Sequence, residues 1–213
     1  VPVIVGLDCI PGSDEMKHFG AALASFGSVA LFHMAAITPE AERLEDVLPK
    51  GKTVREHAVG EQDIRDLQKR YINEVDNVDL VVFSAPQLSI VELQQLADLL
   101  DGRKTKIPLL AVTSPQVKPD ADRMGLTARI EAAGGSVLEG MCFYQSYARE
   151  MAEANNWKKL ATNSAKLTNI IGGFGFKPPP PSLGSRGKKP CAGGGVAQKT
   201  AKIFFLQPAR GRK

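Results

Sequence analysis

The chain has few of the residues that announce a function on their own. Cysteine occurs three times, at Cys9, Cys142 and Cys191. That is too few and too scattered for a disulfide framework, and no two stand at zinc-ligand spacing. A reducing, cytoplasmic setting is the default expectation. No apolar run reaches the ~18 residues of a membrane span, so no membrane-spanning helix and no membrane partner are expected. The opening residues, VPVIVGLD, lack a basic stretch followed by a long apolar one, so no secretory signal is read there. There is no GxGxxG after a strand, no Walker A pattern, no HExxH and no GxSxG. Nucleotide binding and the common hydrolytic mechanisms therefore lack motif support.

What is present is ordinary globular material. The chain has 213 residues, of which 43% are hydrophobic and 23% charged, enough to bury a core. The net charge of +4 conceals an asymmetry. Nine Lys and Arg and no Asp or Glu fall between Lys177 and Lys213, leaving 18 basic against 23 acidic residues in the body. The body is thus mildly acidic, and nucleic acid is not its expected partner. A basic tail can bind RNA or membrane surfaces nonspecifically, but solvated disorder is the commoner reading. Nine glycines and six prolines lie among the 42 residues from Gly172 to the end. Such composition buries too little apolar area to offset ordering the backbone. Only KIFFLQP, 202–208, reads as a strand there, and the tail over 177–213 is expected to be mostly disordered.

Before the tail, strand and helix signals alternate. Short apolar runs predict strands at 1–7, 29–37, 78–85, 107–114, 136–143 and 159–164. Helical spacing predicts helices at 14–26, 61–75, 89–100, 120–133 and 147–155, with one more helical turn from Ala165. Ser13 is read as the N-cap of the first helix and Gly27 as its terminator. Ser89 with Glu92 three residues on is a capping box. The runs VDLVVFSA and IPLLAVTS are too apolar to have one wet face, which marks central parallel strands. The expected fold is α/β: a mostly parallel sheet of about six βα units with helices on both faces.

In such sheets ligands bind beyond the carboxyl ends of the strands. That rule selects His33 and Glu40, Ser84 and Gln87, Thr113 and Ser114, Cys142 and Tyr144, and Thr162, Asn163, Ser164 and Lys166. Each has a plainer reading. His33 is equally a hydrogen-bonded core histidine, Cys142 a small buried hydrophobe, and Asn163-Ser164 a helix cap. Lys166 is harder to explain structurally, because a cation near a helix N-terminus opposes the macrodipole; an anionic ligand would account for it.

Four separated segments carry a resemblance. KHFGAALASFGSVALFHMAAITPEA (17–41), VDLVVFSAPQLSIVEL (78–93), GMCFYQ (140–145) and TNSAKLTNI (162–170) resemble, in order and spacing, motifs of the aconitase X family. The resemblance covers about residues 1–175. It implies a hydro-lyase that dehydrates a small hydroxy acid, cis-3-hydroxy-L-proline or mevalonate 5-phosphate, with an iron–sulfur or iron centre. The metal would act as a Lewis acid on the departing oxygen. By carry-over, Cys142 is a metal ligand, His33 and Ser164 are catalytic, and Glu40, Asn163 and Lys166 bind substrate. A small subunit or swivelling domain of the family's type is the implied protein partner.

The chain departs from the family where many relatives carry cysteine then Pro-His, since it has Ala85-Pro86-Gln87. The family's large subunit is also longer, chiefly at its N-terminus, and the sequence after Gly173 no longer follows it. We therefore read residues 1–176 as a partial aconitase X-like α/β domain and 177–213 as an appended Gly/Pro/Lys-rich tail. The rival readings are a non-catalytic relative or fragment that keeps the fold without a complete site, and a basic-tailed binding module.

Overall fold

The computed structural model describes residues 1–48, 50, 51, 54–72, 78–174, 176 and 201–205, with the backbone alone at 68–72 and 201–205. The strands fall into two four-stranded sheets rather than one. The first has the order β2-β1-β8-β3, formed by β1 (Pro2–Val5), β2 (His33–Met34), β3 (Arg55–Val59) and β8 (Ala201–Phe205). β1 and β2 are parallel, with Val3 opposite His33. β8 runs antiparallel between β1 and β3, and it overlaps the one strand read in the tail. The expectation of disorder over 177–213 otherwise falls outside the described residues. The second sheet has the order β6-β5-β4-β7, formed by β4 (Leu80–Leu88), β5 (Leu109–Thr113), β6 (Gly135–Glu139) and β7 (Leu160–Ala161). All its pairings are parallel, as the apolar runs predict.

Helices α1 (Ser13–Gly27), α2 (Leu44–Val47) and α3 (Glu61–Ile72) belong to the first half of the chain. Around the second sheet, α4 (Ile90–Leu100), α5 (Lys118–Arg123) and α6 (Leu126–Ala132) cover one face. Leu93, Leu96, Leu126 and Ile130 pack there on Leu109 and Val137. On the other face, α7 (Ala148–Asn155) and α8 (Ala165–Ile170) bury Ala148, Ala152 and Leu167 against Leu80, Val82 and Leu160. Helices on both faces explain why β4 and β5 lack a polar side.

Local chemistry sets several boundaries differently from the sequence reading. The helix read over 120–133 is two helices, because Gly125 takes a left-handed conformation at φ 71° and reorients the chain. The strand read over 29–37 is only His33–Met34; Thr38 N donates to Met34 O at 2.9 Å and turns the chain at once. β3, read as loop, forms by pairing with β8 although four of its five residues are exposed. α1 is capped by Gly12, whose amide donates to Glu15 Oε2 at 2.6 Å. Its left-handed closing residue is Ser28, not Gly27.

α1 precedes most of the first sheet in the chain, yet it packs on α8 and β4 of the second half. Asn169 Nδ2 on α8 donates to Ser25 O and Oγ of α1, both at 2.9 Å. The two halves are thereby joined beside the second sheet.

Candidate functional site at the parallel strand ends

In the second sheet the chain runs from β4 outward to β5 and β6, then crosses back to β7 on the other side of β4. The helix after β4 covers one face and the helix after β7 the opposite face. The strand order therefore reverses between β4 and β7, and in open parallel sheets ligands bind beyond the carboxyl ends of the strands at such a reversal.

Polar groups gather at this reversal. Ser164, the N-cap of α8, is 1% exposed. Its Oγ donates to Ala85 O on β4 and accepts from Leu167 N at 3.0 Å. Ala85 is buried and holds a left-handed backbone at φ 55°, a conformation uncommon outside glycine. Two residues on, Gln87 Nε2 donates to Met141 O at 3.1 Å, joining the end of β4 to the loop after β6. Cys142, next in that loop, is a free, partly buried cysteine. Burial, with the charge of Cys142 and a hydrogen bond to it, pushes the Tyr144 hydroxyl above its ordinary pKa. The Lys166 ammonium lies 5.9 Å from the centre of the Tyr144 ring, in reach of a cation–π attraction. The other face of the assembly is closed by Phe174, 5.7 Å from Tyr144.

Of the residues read from sequence, Ser164 is bonded to Ala85 and Lys166 faces the Tyr144 ring, two residues from Cys142, with Asn163 partly buried beside Ser164. His33 and Glu40 belong to the first sheet and the turn after it, and no described hydrogen bond or ion pair joins either to this cluster. His33 Nδ1 is buried without a partner among the described residues; Glu40 is exposed. Ser84 Oγ, within β4, is likewise buried without a partner among them. A native buried polar atom left unpaired points to a missing water, ion or ligand.

A second polar group escaped sequence reading. Lys17 Nζ on α1 donates to Gln87 O at 3.0 Å and pairs with Glu92 on α4 and, at 3.0 Å, with Asp14. His18 Nε2 meets Glu92 Oε1 at 2.7 Å. Ser89 Oγ donates to Asp14 Oδ2 at 2.7 Å, and Ser89 N donates to Glu92 at 2.8 Å. Burial raises the Glu92 pKa, but the hydrogen bonds from His18, Lys17 and Ser89 overcome it and hold the carboxyl down to about 2. The capping box was visible in sequence; the partners from α1 were not, being more than 70 residues away. An open recess of about 500 Å³ runs along α7, lined by Arg149, Trp157, Lys158 and Phe174 among others, the last of which also packs on Tyr144. The polar convergence, rather than this recess, marks the candidate site. Among the described residues, no group of three or more His, Cys, Asp or Glu could hold a metal ion.

Comparison with known proteins agrees with the two-sheet division. The model of the aconitase X second domain matches residues 1–69, and that of the third domain residues 78–178. The phosphomevalonate dehydratase large subunit of Methanocaldococcus jannaschii is 31% identical over 164 residues, covering 77% of this chain and 39% of its own length. The cis-3-hydroxy-L-proline dehydratase of Pseudomonas aeruginosa is 32% identical over 178 residues, 82% of this chain and 30% of the relative. The crystal structure of Thermococcus kodakaraensis aconitase X in its holo-form superimposes with a TM-score of 0.69 at 29% identity, covering 81% of this chain and 42% of that one. This chain thus spans less than half the length of the relatives it matches. With both domain models matched in order across nearly all of residues 1–178, the chain belongs to the aconitase X family.

Proposed function

We propose that residues 1–176 act together as part of a cytoplasmic hydro-lyase that dehydrates a small hydroxy acid, either cis-3-hydroxy-L-proline or mevalonate 5-phosphate. Residues 177–213, the Gly/Pro/Lys-rich tail, are given no role in the reaction in this reading. The observation that carries this reading is the meeting of Ser164, Lys166, Tyr144 and Cys142 around the reversal point of a parallel sheet. Relatives named for these two dehydrations match at about the same identity, so both substrates stay in the proposal. Relatives named as large subunits support a small subunit as the protein partner.

In this reading a C–H bond next to the carboxylate, or its equivalent, breaks, its proton passing to the base and its electron pair forming the double bond. The neighbouring C–O bond breaks, and the departing hydroxide takes up a proton, from the protonated base or solvent, to leave as water. Lys166, which no carboxylate pairs among the described residues, holds the substrate's anionic group. Asn163 adds an amide beside it, and Glu40 approaches from the turn after β2. Ser164 ties β4 to the start of α8, and His33, whose Nδ1 lacks a partner among the described residues, is the proposed base. General base catalysis requires hydrogen-bond reach of the proton removed.

The family resemblance also implies an iron or iron–sulfur centre with Cys142 as a ligand. The donors here do not fit a complete cluster. Clusters are held by several thiolates, Ala85 stands where relatives carry cysteine, and no described group of donors completes a set around Cys142. No step is therefore routed through iron. The same observation favours a second reading, a relative that keeps the fold without catalysis.

The test is anaerobic purification, reconstitution with iron and sulfide, and assay of both substrates alongside calorimetric binding. The 213-residue chain should bind one substrate, Lys166→Met should weaken that binding about tenfold or more, and turnover should stay well below the ~1 s⁻¹ of ordinary enzymes. Binding of neither substrate would leave the non-catalytic reading in its place.

A further inference from the structure

The loop that carries Cys142 is tied to the first half of the molecule by an unbroken polar path. Lys17 on α1 donates to the carbonyl of Gln87 at 3.0 Å. The side-chain amide of the same Gln87 donates to the carbonyl of Met141 at 3.1 Å. Met141 is covalently joined to Cys142, and Tyr144, two residues further on, has its ring centre 5.9 Å from the Lys166 ammonium. Lys17 is itself held by two carboxylates, Glu92 and Asp14. Asp14 is in turn fixed by Ser89 at 2.7 Å.

We propose that Lys17 is a positioning residue for the Cys142 loop, acting through Gln87. The proposal rests on the strand ends of the second sheet being the working site, but its test does not require dehydratase activity.

Three features separate this arrangement from a surface ion pair. First, Lys17 uses its ammonium on a main-chain carbonyl as well as on carboxylates, so it fixes backbone rather than merely balancing charge. Second, Gln87 is bonded through both its carbonyl and its amide, so moving one end moves the other. Third, Lys17 comes from the second-domain match while Gln87 and Met141 come from the third-domain match. The loop therefore senses how α1 is seated on β4. Hydrogen bonds to charged groups are also the stronger class, so the ammonium end of the path is its firm anchor.

The experiment follows alkylation of Cys142 by iodoacetamide across pH 6–9 in the 213-residue chain, read at that residue by peptide mass spectrometry. Lys17→Met and Gln87→Leu should each speed alkylation about fivefold, the effect of losing one hydrogen bond that keeps a loop closed. The double variant should be no faster than either single one, because both cut the same path. Lys17→Arg should restore the slow rate. Should Lys17→Met fail to fold, Gln87→Leu with the arginine variant decides alone: both must behave as stated. Unchanged alkylation in folded single variants, or fully additive effects in the double variant, would overturn the proposal.

Discussion

Ser84, within β4, and Ser164, just after the neighbouring β7, have opposite hydrogen-bond accounts. Ser164 Oγ donates to Ala85 O and accepts from Leu167 N, at 1% exposure. Alanine there leaves a buried carbonyl and an uncapped amide, and should cost about 1–3 kcal/mol, read as a lower urea midpoint. Ser84 is equally buried, but its Oγ has no partner among the described residues. Removing a hydroxyl that already lacks a bond relieves a desolvation cost. Ser84→Ala should therefore leave the midpoint unchanged or raise it. A loss above about 1 kcal/mol would instead reveal a bound water as partner.

At the scale of the element, β6 shows how one residue sets a strand's seat. A Cβ on Gly135 would lie 2.9 Å from Ile130 Cγ2, 3.0 Å from Leu109 Cδ2 and 3.2 Å from Ile130 O. Ile130 is fully buried on α6, and the third contact is backbone, so neither helix nor strand can yield freely. Gly135→Ala should push β6 off α6 and cost about 1–3 kcal/mol. Thermal unfolding measures this, and an unchanged midpoint would show that the α6–β6 packing is looser than the structure has it. The same strand leads into the loop of Met141 and Cys142, so its displacement reaches the candidate site.

For the whole molecule, the decisive contact is Glu92 on α4 with Lys17 and His18 on α1. Its carboxyl falls from 4.5 to about 2 on folding. A depressed carboxylate stabilises the fold fully above its unfolded pKa, and that contribution is lost as pH falls through the folded one. The window is thus pH 4.5 down to about 2, and the amount is on the order of a few kcal/mol. Glu92→Gln should be less stable than the native chain at pH 7, and the gap should shrink steadily as pH falls through that window. Denaturant titrations at pH 7, 4 and 2.5 read it. A gap independent of pH would mean that the carboxylate is not what holds α1 in place.

The sequence by itself determined what short-range chemistry can write. The runs at 78–85 and 107–114 became parallel strands covered on both faces, because burial on both sides demands apolar residues at every position. Ser89 with Glu92 and Ser164 became caps, because a cap needs only residues three apart. Family membership was legible for the same reason, in contiguous motifs. Tertiary structure alone decided the rest. The two-sheet division and the strand Arg55–Val59 depend on β8, which pairs across some 150 residues of chain and leaves no local period. The partners of Gln87 and Glu92 lie 54 to 75 residues away. Such meetings follow from how α1 is seated against β4, and a charged or amide side chain carries no local mark of the partner that topology will bring to it.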